Sequence, residues 1–202
     1  MRSSRERANH RHSSIASDGA ERRRGAVVSY AERYPLLHRP THWVWGNLDV
    51  QFSTDPPPDE LVTNVHAVCF TGAEVVLCRD DRDRWLLPGG TREQHESIED
   101  CLARELLEEA GARPTGPPTW LGAHYATAKD PVPYRDWHPH PNKAWLWVAV
   151  DVALTATPTN PPDAEQIVEV RAFPLDAALR FARTDGDYLP ELVALAAELH
   201  RH

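Results

Sequence analysis

The sequence predicts an α/β fold, a mixed β-sheet covered by helices on both faces. Two observations lead there. Short β-branched or aromatic runs come in pairs, and helical stretches fall between and after them instead of forming a half of their own. The 202 residues, 41% apolar and 26% charged, are also enough for one well-filled core and one domain.

Taken in order, residues 1–28 read as a disordered basic tail. Residues 1–25 hold seven Arg against Glu6, Asp18 and Glu21, and almost no aromatics. A solvated extension fits that composition best; a nucleic-acid arm and a transit peptide are the other two readings. The tail has no apolar core of the kind a secretory signal carries. Ordered structure is expected from Ser29, and residues 29–58 read as an N-terminal extension with a possible extra strand. Trp43, Trp45 and Phe52 in "THWVWGNLDVQF" give it an alternating aromatic pattern. A strand added to the sheet or to a partner in a homodimer is the first explanation, base stacking the second. Pro56, Pro57 and Pro58 then interrupt the pattern, since they neither continue a helix nor donate to a central sheet.

Residues 59–202 read as the main domain. "LVTNVHAVCF" and "AEVVLCRDD" are β-branched runs joined at Gly72, which predicts a hairpin or adjacent strands. "RWLLPGG" ends that section. A helix follows from about Ile98, because Ser97 and Asp100 have capping-box spacing, and Gly111 supplies its stop. "TWLGAHYATA" and "KAWLWVAVDVAL" read as two strands flanking a polar, proline-studded segment. "QIVEVRAFPL" is a further strand leading into "DAALRFA". The closing helix "YLPELVALAAELHRH" places Leu189, Leu192, Val193 and Leu195 to Ala197 on its apolar side.

On the helix after Ser97, Ile98, Leu102, Leu106 and Ala110 form an apolar ridge, and Glu105, Glu108 and Glu109 fill the adjoining sector. Carboxylates at these spacings repel by a few tenths of a kcal/mol per pair when exposed, and by more when desolvated. Three hard oxygen ligands on one face suit Mg2+ or Mn2+ with substrate phosphates and water. A solvated glutamate-rich face is the bland alternative, and the cluster alone does not decide between them.

The flanking residues do. Gly90, Glu96, Arg104, Glu105, Glu108, Glu109 and Gly111 stand in the spacing G-x5-E-x7-R-E-U-x-E-E-x-G-U, where U is a bulky aliphatic. Agreement at these positions by chance at one start point is on the order of 10^-8 to 10^-9. The stretch resembles the box of the Nudix hydrolase family; Ala112, smaller than the usual closing aliphatic, is the one departure.

That resemblance implies an α/β/α sandwich with a mixed sheet. It also implies a pyrophosphohydrolase that cuts a phosphoanhydride bond in a nucleoside diphosphate linked to another moiety, using Mg2+, with Mn2+ as the alternative. Carried over by position, Glu105, Glu108 and Glu109 are metal ligands together with the Gly90 carbonyl, and Glu105 is also placed to accept a proton from water. Arg104 and Glu96 become orienting partners, with purely structural roles as the alternative. A further base outside the box is expected, Glu165 first, with Glu169 and Asp163 as rivals.

Substrate contacts are sought between Lys129 and Lys143. Lys129, Tyr134, Arg135, Trp137 and His138 there, beside His140 and Asn142, are able to stack a base and pair phosphates; a surface loop with aromatic anchors is the alternative. The proline or tyrosine that marks the ADP-ribose and dinucleoside-polyphosphate subfamilies is absent from Thr127 to Asp130, so neither subfamily is indicated.

Charge and cysteine content narrow the class further. The net charge is -8, and outside the tail 15 cationic side chains face 27 acidic ones, a body not built around a polyanion. Nucleic acid is therefore not the expected partner; a small nucleotide derivative is. Cys69, Cys78 and Cys101 show neither a disulfide framework nor CxxC spacing, which suits a reducing cytoplasm. No apolar run is long enough for a membrane span. Two alternatives to the hydrolase stay open, a catalytically silent nucleotide-binding module of the same fold and an RNA-end pyrophosphohydrolase using the basic tail.

Overall fold

Strands in this chain form where β-branched runs alternate sides, and the pairing of distant runs sets everything that follows. The computed structural model describes residues 28–161 and 166–200. A short helix α1 (Tyr30–Arg33) is capped by Ser29, whose side chain accepts from the Glu32 amide. Next come β1 (Thr41–Trp43) and β2 (Leu48–Ser53), joined by a 3-10 turn at Val44–Gly46 and a left-handed Asn47. The aromatic alternation is thus broken by a turn, with Trp43 on a strand and Trp45 on the turn.

The chain continues through β3 (Val62–Thr71), β4 (Glu74–Asp80), β5 (Trp85–Leu86), β6 (Gly89–Thr91) and helix α2 (Ile98–Ala110). After these lie β7 (Ala112–Pro114), β8 (Thr119–Ala128), β9 (Asn142–Leu154), β10 (Ile167–Pro174), α3 (Leu175–Ala182) and α4 (Leu189–Leu199). Among the described residues ten strands make one sheet in the order β1-β2-β8-β9-β3-β4-β10, with β5 on β4, β6 on β3 and β7 on β9. The β3–β9 pair is parallel and the others are antiparallel, so the sheet is mixed, as the sequence predicts.

Alternation along β3 and β9 divides the core in two. Val65, Ala67 and Cys69 with Leu146, Val148 and Val150 meet Ile98, Leu102 and Leu106 of α2. Val68 and Phe70 with Trp147 and Ala149 meet Leu192, Val193 and Ala196 of α4 and Ala178 of α3. Successive residues of a strand point to opposite faces, so α2 covers one face and α3 and α4 the other, which is an α/β/α sandwich. Burying each of these Leu or Val side chains contributes about 1.5–3 kcal/mol against the chain entropy. The strand bounds agree with the sequence reading within a residue or two. The short strands β5, β6 and β7 are additions that only pairing partners reveal, because two or three residues carry no periodicity.

Candidate active site

The apolar ridge of α2 fixes which way its acids point. Ser97 caps the helix, its Oγ accepting from the Asp100 amide at 3.0 Å. The reciprocal arm of the capping box is not made; Asp100 accepts from the Ser97 hydroxyl instead, at 2.8 Å. Gly111 ends the helix at φ 59, and its amide returns to the Leu107 carbonyl. With the ridge buried on the sheet, Glu105 and Glu109 are drawn down beside it, each only 7% exposed, while Glu108 stays half-buried.

Strand β6 is laid alongside by its register with β3, where Val65 faces Gly90 and His66 faces Gly89. This brings the backbone of Gly89 and Gly90 against the helix acids. The Gly89 amide donates to Glu109 at 2.9 Å. A Cβ on Gly90 would sit 2.5–2.6 Å from the carboxyl atoms of Glu105, so a side chain there would have to displace that carboxyl group.

Arg104 holds the acids together. Its Nε and Nη2 donate to the two oxygens of Glu96 at 2.8 and 2.9 Å, a bidentate pair, and Nη2 also reaches the Thr91 carbonyl at 3.0 Å. Nη1 donates to Glu105 at 2.8 Å and to Glu108 at 3.2 Å. Glu96 is itself set by the loop after β6, where it accepts from the Glu93 amide and Arg92 donates to its carbonyl.

The electrostatics follow from this packing. Burial pushes the Glu105 carboxyl up, Arg104 pulls it down, and Glu108 and Glu96 push it up again, leaving it above the usual carboxylate range. Burial also pushes Glu96 up, but the hydrogen bonds from Arg104 outweigh that and hold it low. The Glu96 contact in turn raises the Arg104 guanidinium further above its ordinary value.

Three carboxylates, Glu96, Glu105 and Glu108, thus share one guanidinium, and Glu109 lies beside them on the Gly89 amide. Among the described residues, no group of three His, Cys, Asp or Glu side chains is already arranged around a metal position. The donor set still fits a hard dication: Glu105, Glu108 and Glu109 project from one helix sector, the Gly90 backbone lies against Glu105, and the negative charge exceeds what Arg104 neutralises.

The acids open into a cavity of about 820 Å3 whose other walls include Trp43, Trp45, His66, Trp145 and Tyr188. Tyr134 and Arg135 line it too, and the Arg135 Nε is buried without a hydrogen-bond partner. The remaining predicted substrate contacts lie elsewhere. Lys129 is not in the cavity wall and pairs with Asp49. Trp137 and His138 line a separate pocket of about 370 Å3 with Arg92 and Glu96. Glu169 pairs with Arg79 across β10 and β4, outside the cavity wall. Glu165 and Asp163 fall outside the described residues.

Sequence reasoning did not single out His66, His124, Trp145 or Tyr188 for the site. The available signal was slight: a polar residue in the apolar run of β3, and indoles two apart in "KAWLWVAV", which places Trp145 and Trp147 on one face.

Comparison with known proteins identifies the family and the fold. The NUDIX domain family matches residues 60–192. That span is more than half of the chain, and the chain belongs to the Nudix hydrolase family. The Bacillus subtilis pyrophosphohydrolase BsRppH superposes with a TM-score of 0.57 at 16% identity, over 81% of this chain and 96% of that one. An ADP-ribose pyrophosphatase from Streptococcus suis gives 0.46 at 18% identity, over 69% and 91%. The MutT protein from Methanosarcina mazei Go1 gives 0.47 at 19%, over 70% and 96%. At these identities the likeness is one of fold. No curated protein matches the chain. The family, the fold and the enzyme class implied by the sequence are thereby borne out.

Proposed function

We propose that the protein hydrolyses a phosphoanhydride bond in a nucleoside diphosphate linked to another moiety, with Mg2+ or Mn2+ as cofactor. The observation that carries the proposal is that Glu105, Glu108 and Glu109, from one sector of α2, line a cavity large enough for a nucleotide derivative, with the Gly90 backbone against Glu105. When bound, a divalent cation supplies the charge that neutralises the diphosphate and acidifies the attacking water. Glu105, Glu108, Glu109 and the Gly90 carbonyl would hold it.

The chain's own residues divide the remaining work. Arg104 keeps Glu105 and Glu108 in fixed orientation, and Glu96 fixes Arg104 from behind. Glu105 accepts the proton of the attacking water, a role suited to a carboxyl raised by burial and by its acidic neighbours. Arg135 reaches the cavity with an unpartnered Nε and pairs with phosphate oxygens; Tyr134 flanks it. Glu165 stays the first candidate for a base outside the box, on its nearness in sequence to Pro161, which lines the cavity. A cytoplasmic setting is part of the same proposal and rests on the three free, buried cysteines.

Glu108→Gln tests the proposal, because it removes a ligand charge at nearly constant volume from a half-buried position. Turnover of a panel of nucleoside triphosphates, nucleotide sugars, ADP-ribose, dinucleotides and capped RNA is measured with Mg2+ and with Mn2+. The expected result is turnover of at least one panel member and a loss of about 100-fold or more in the variant, with an unchanged circular dichroism spectrum. Full activity in the variant would reject this metal site.

A further inference from the structure

The two outer strands of the sheet among the described residues, β1 and β10, are unlike. β1 is three residues long and passes at once into a 3-10 turn. β10 spans eight residues, Ile167–Pro174, pairs with β4 on one side and has no described strand on the other. We propose that this free edge takes up β10 of a second copy of the chain, antiparallel about a twofold axis at Val170, so that one sheet runs through a homodimer. The N-terminal strands, which the sequence offered for pairing with a partner, lie at the opposite edge.

The residues of the edge are complementary to themselves. In an antiparallel pair centred on Val170, Glu169 of each copy stands opposite Arg171 of the other, so two ion pairs flank the axis. Charges on an edge strand ordinarily block pairing, because they meet like charge or apolar surface. Here each meets its opposite. Both side chains are placed for it. Arg171 is exposed and forms no ion pair among the described residues; its guanidinium lies over the Phe173 ring at 5.0 Å. Glu169 accepts from Arg79 at 3.0 and 2.9 Å, both times through Oε2, and its Oε1 is left for a second guanidinium.

The limits of the edge agree with the same axis. At its start the register of β10 on β4 shifts between Ile167 and Glu169. There the Asn160 side chain takes both backbone groups of Ile167, its Oδ1 accepting at 2.8 Å and its Nδ2 donating at 2.9 Å. At its end Pro174 has no N–H to offer. The stretch left open is Val168 to Phe173, and a pair centred on Val170 uses 168–172 of it. Val168, 55% exposed, then meets Ala172, which packs against the α2 core. Val170 meets its own copy. A foreign strand would need acid and base at alternate positions in matching order; a second β10 brings them by construction.

The test is sedimentation velocity of the full chain over about 1–300 μM, the range in which a short edge interface associates. A concentration-dependent dimer is expected, weakened by raising the salt because exposed ion pairs are screened. Arg171→Glu sets acid against acid on both sides of the axis and should weaken the dimer about tenfold or more. Arg171→Lys keeps the charge and should retain it. Glu169→Lys makes the reverse mismatch, and Arg79 keeps Asp83 as a partner. Arg171→Glu and Glu169→Lys are each expected to be monomeric alone and to form a heterodimer when mixed, which a folding defect would not produce. A wild type that stays monomeric over the whole range, a dimer left intact by Arg171→Glu, or a mixture of the two variants that fails to associate would overturn the proposal.

Discussion

At the scale of single residues, Gly90 and Arg104 do more than the acids they serve. Arg104 directs its forked donors at Glu96, Glu105, Glu108 and a carbonyl, a pattern that a lysine ammonium does not reproduce. Gly90 is where a missing side chain matters. Its φ is ordinary, but a Cβ there would meet all three carboxyl atoms of Glu105. Gly90→Ala is therefore expected to push Glu105 out of place, lowering metal-dependent turnover about tenfold or more while costing roughly 1–3 kcal/mol of stability. Steady-state kinetics beside a urea melt separates the two effects; unchanged kinetics would show that the strand does not set the position of Glu105. The need for glycine at 90 is legible from the box spacing, whereas its physical cause is visible only once β6 lies beside α2.

At the scale of elements, α2 is the part most legible beforehand. Its cap, its stop and its buried ridge were all expected from Ser97, Gly111 and the apolar spacing, and all three are found. Gly111 carries a double constraint. Its φ of 59 disfavours a side chain, and a Cβ would lie 2.0 Å from the Ala156 carbonyl oxygen. Gly111→Ala should cost about 2 kcal/mol or more, read as a lower midpoint in chemical denaturation. A neutral result would mean that the loop at residues 155–157 yields freely. The N-terminal strands were less legible. The turn at Val44–Gly46 divides the aromatic pattern, and β2 pairs with β8, a strand some seventy positions later in the chain, with Phe52 facing His124. Short elements such as β6 are defined by partners and carry no periodicity of their own.

At the scale of the whole molecule, two cores on opposite faces of the sheet support one cavity, and among the described residues no helix is long and apolar enough to cross a membrane. The α4 face buries His124 and half-buries His66 and His38. His124 accepts from the Trp147 indole at 2.9 Å through Nδ1, so it is neutral with its proton on Nε2. Burial pushes His66 down to about 4, and burial, followed by the neighbouring His66 and His38, pushes His124 down to about 3. An unfolded histidine takes up its proton near pH 6.5. Between there and pH 4 the unfolded chain binds more protons than the native one, so stability falls as pH falls through this window and returns as it rises. The expected loss by pH 4.5 is on the order of 2–4 kcal/mol, measured as a drop in Tm from pH 7. A Tm that is flat over this range would mean that these rings are solvated.

The sequence by itself determined the chemistry of one helix: which acids share a face, which residues cap and stop it, and which family carries that spacing. Those features are local, set by 3.6 residues per turn and by backbone preferences at Ser97 and Gly111. Only the tertiary structure decided what surrounds them. Trp43, His66, His124, Trp145 and Tyr188 come from five separate stretches of chain and meet because strand pairing sets β1, β2, β8, β9 and β3 in that order across the sheet and Tyr188 immediately precedes α4. Lys129, the first residue of the segment in which substrate contacts were sought, is carried away by the same pairing to Asp49. Local periodicity cannot encode such meetings, since register between distant strands is a property of the whole sheet.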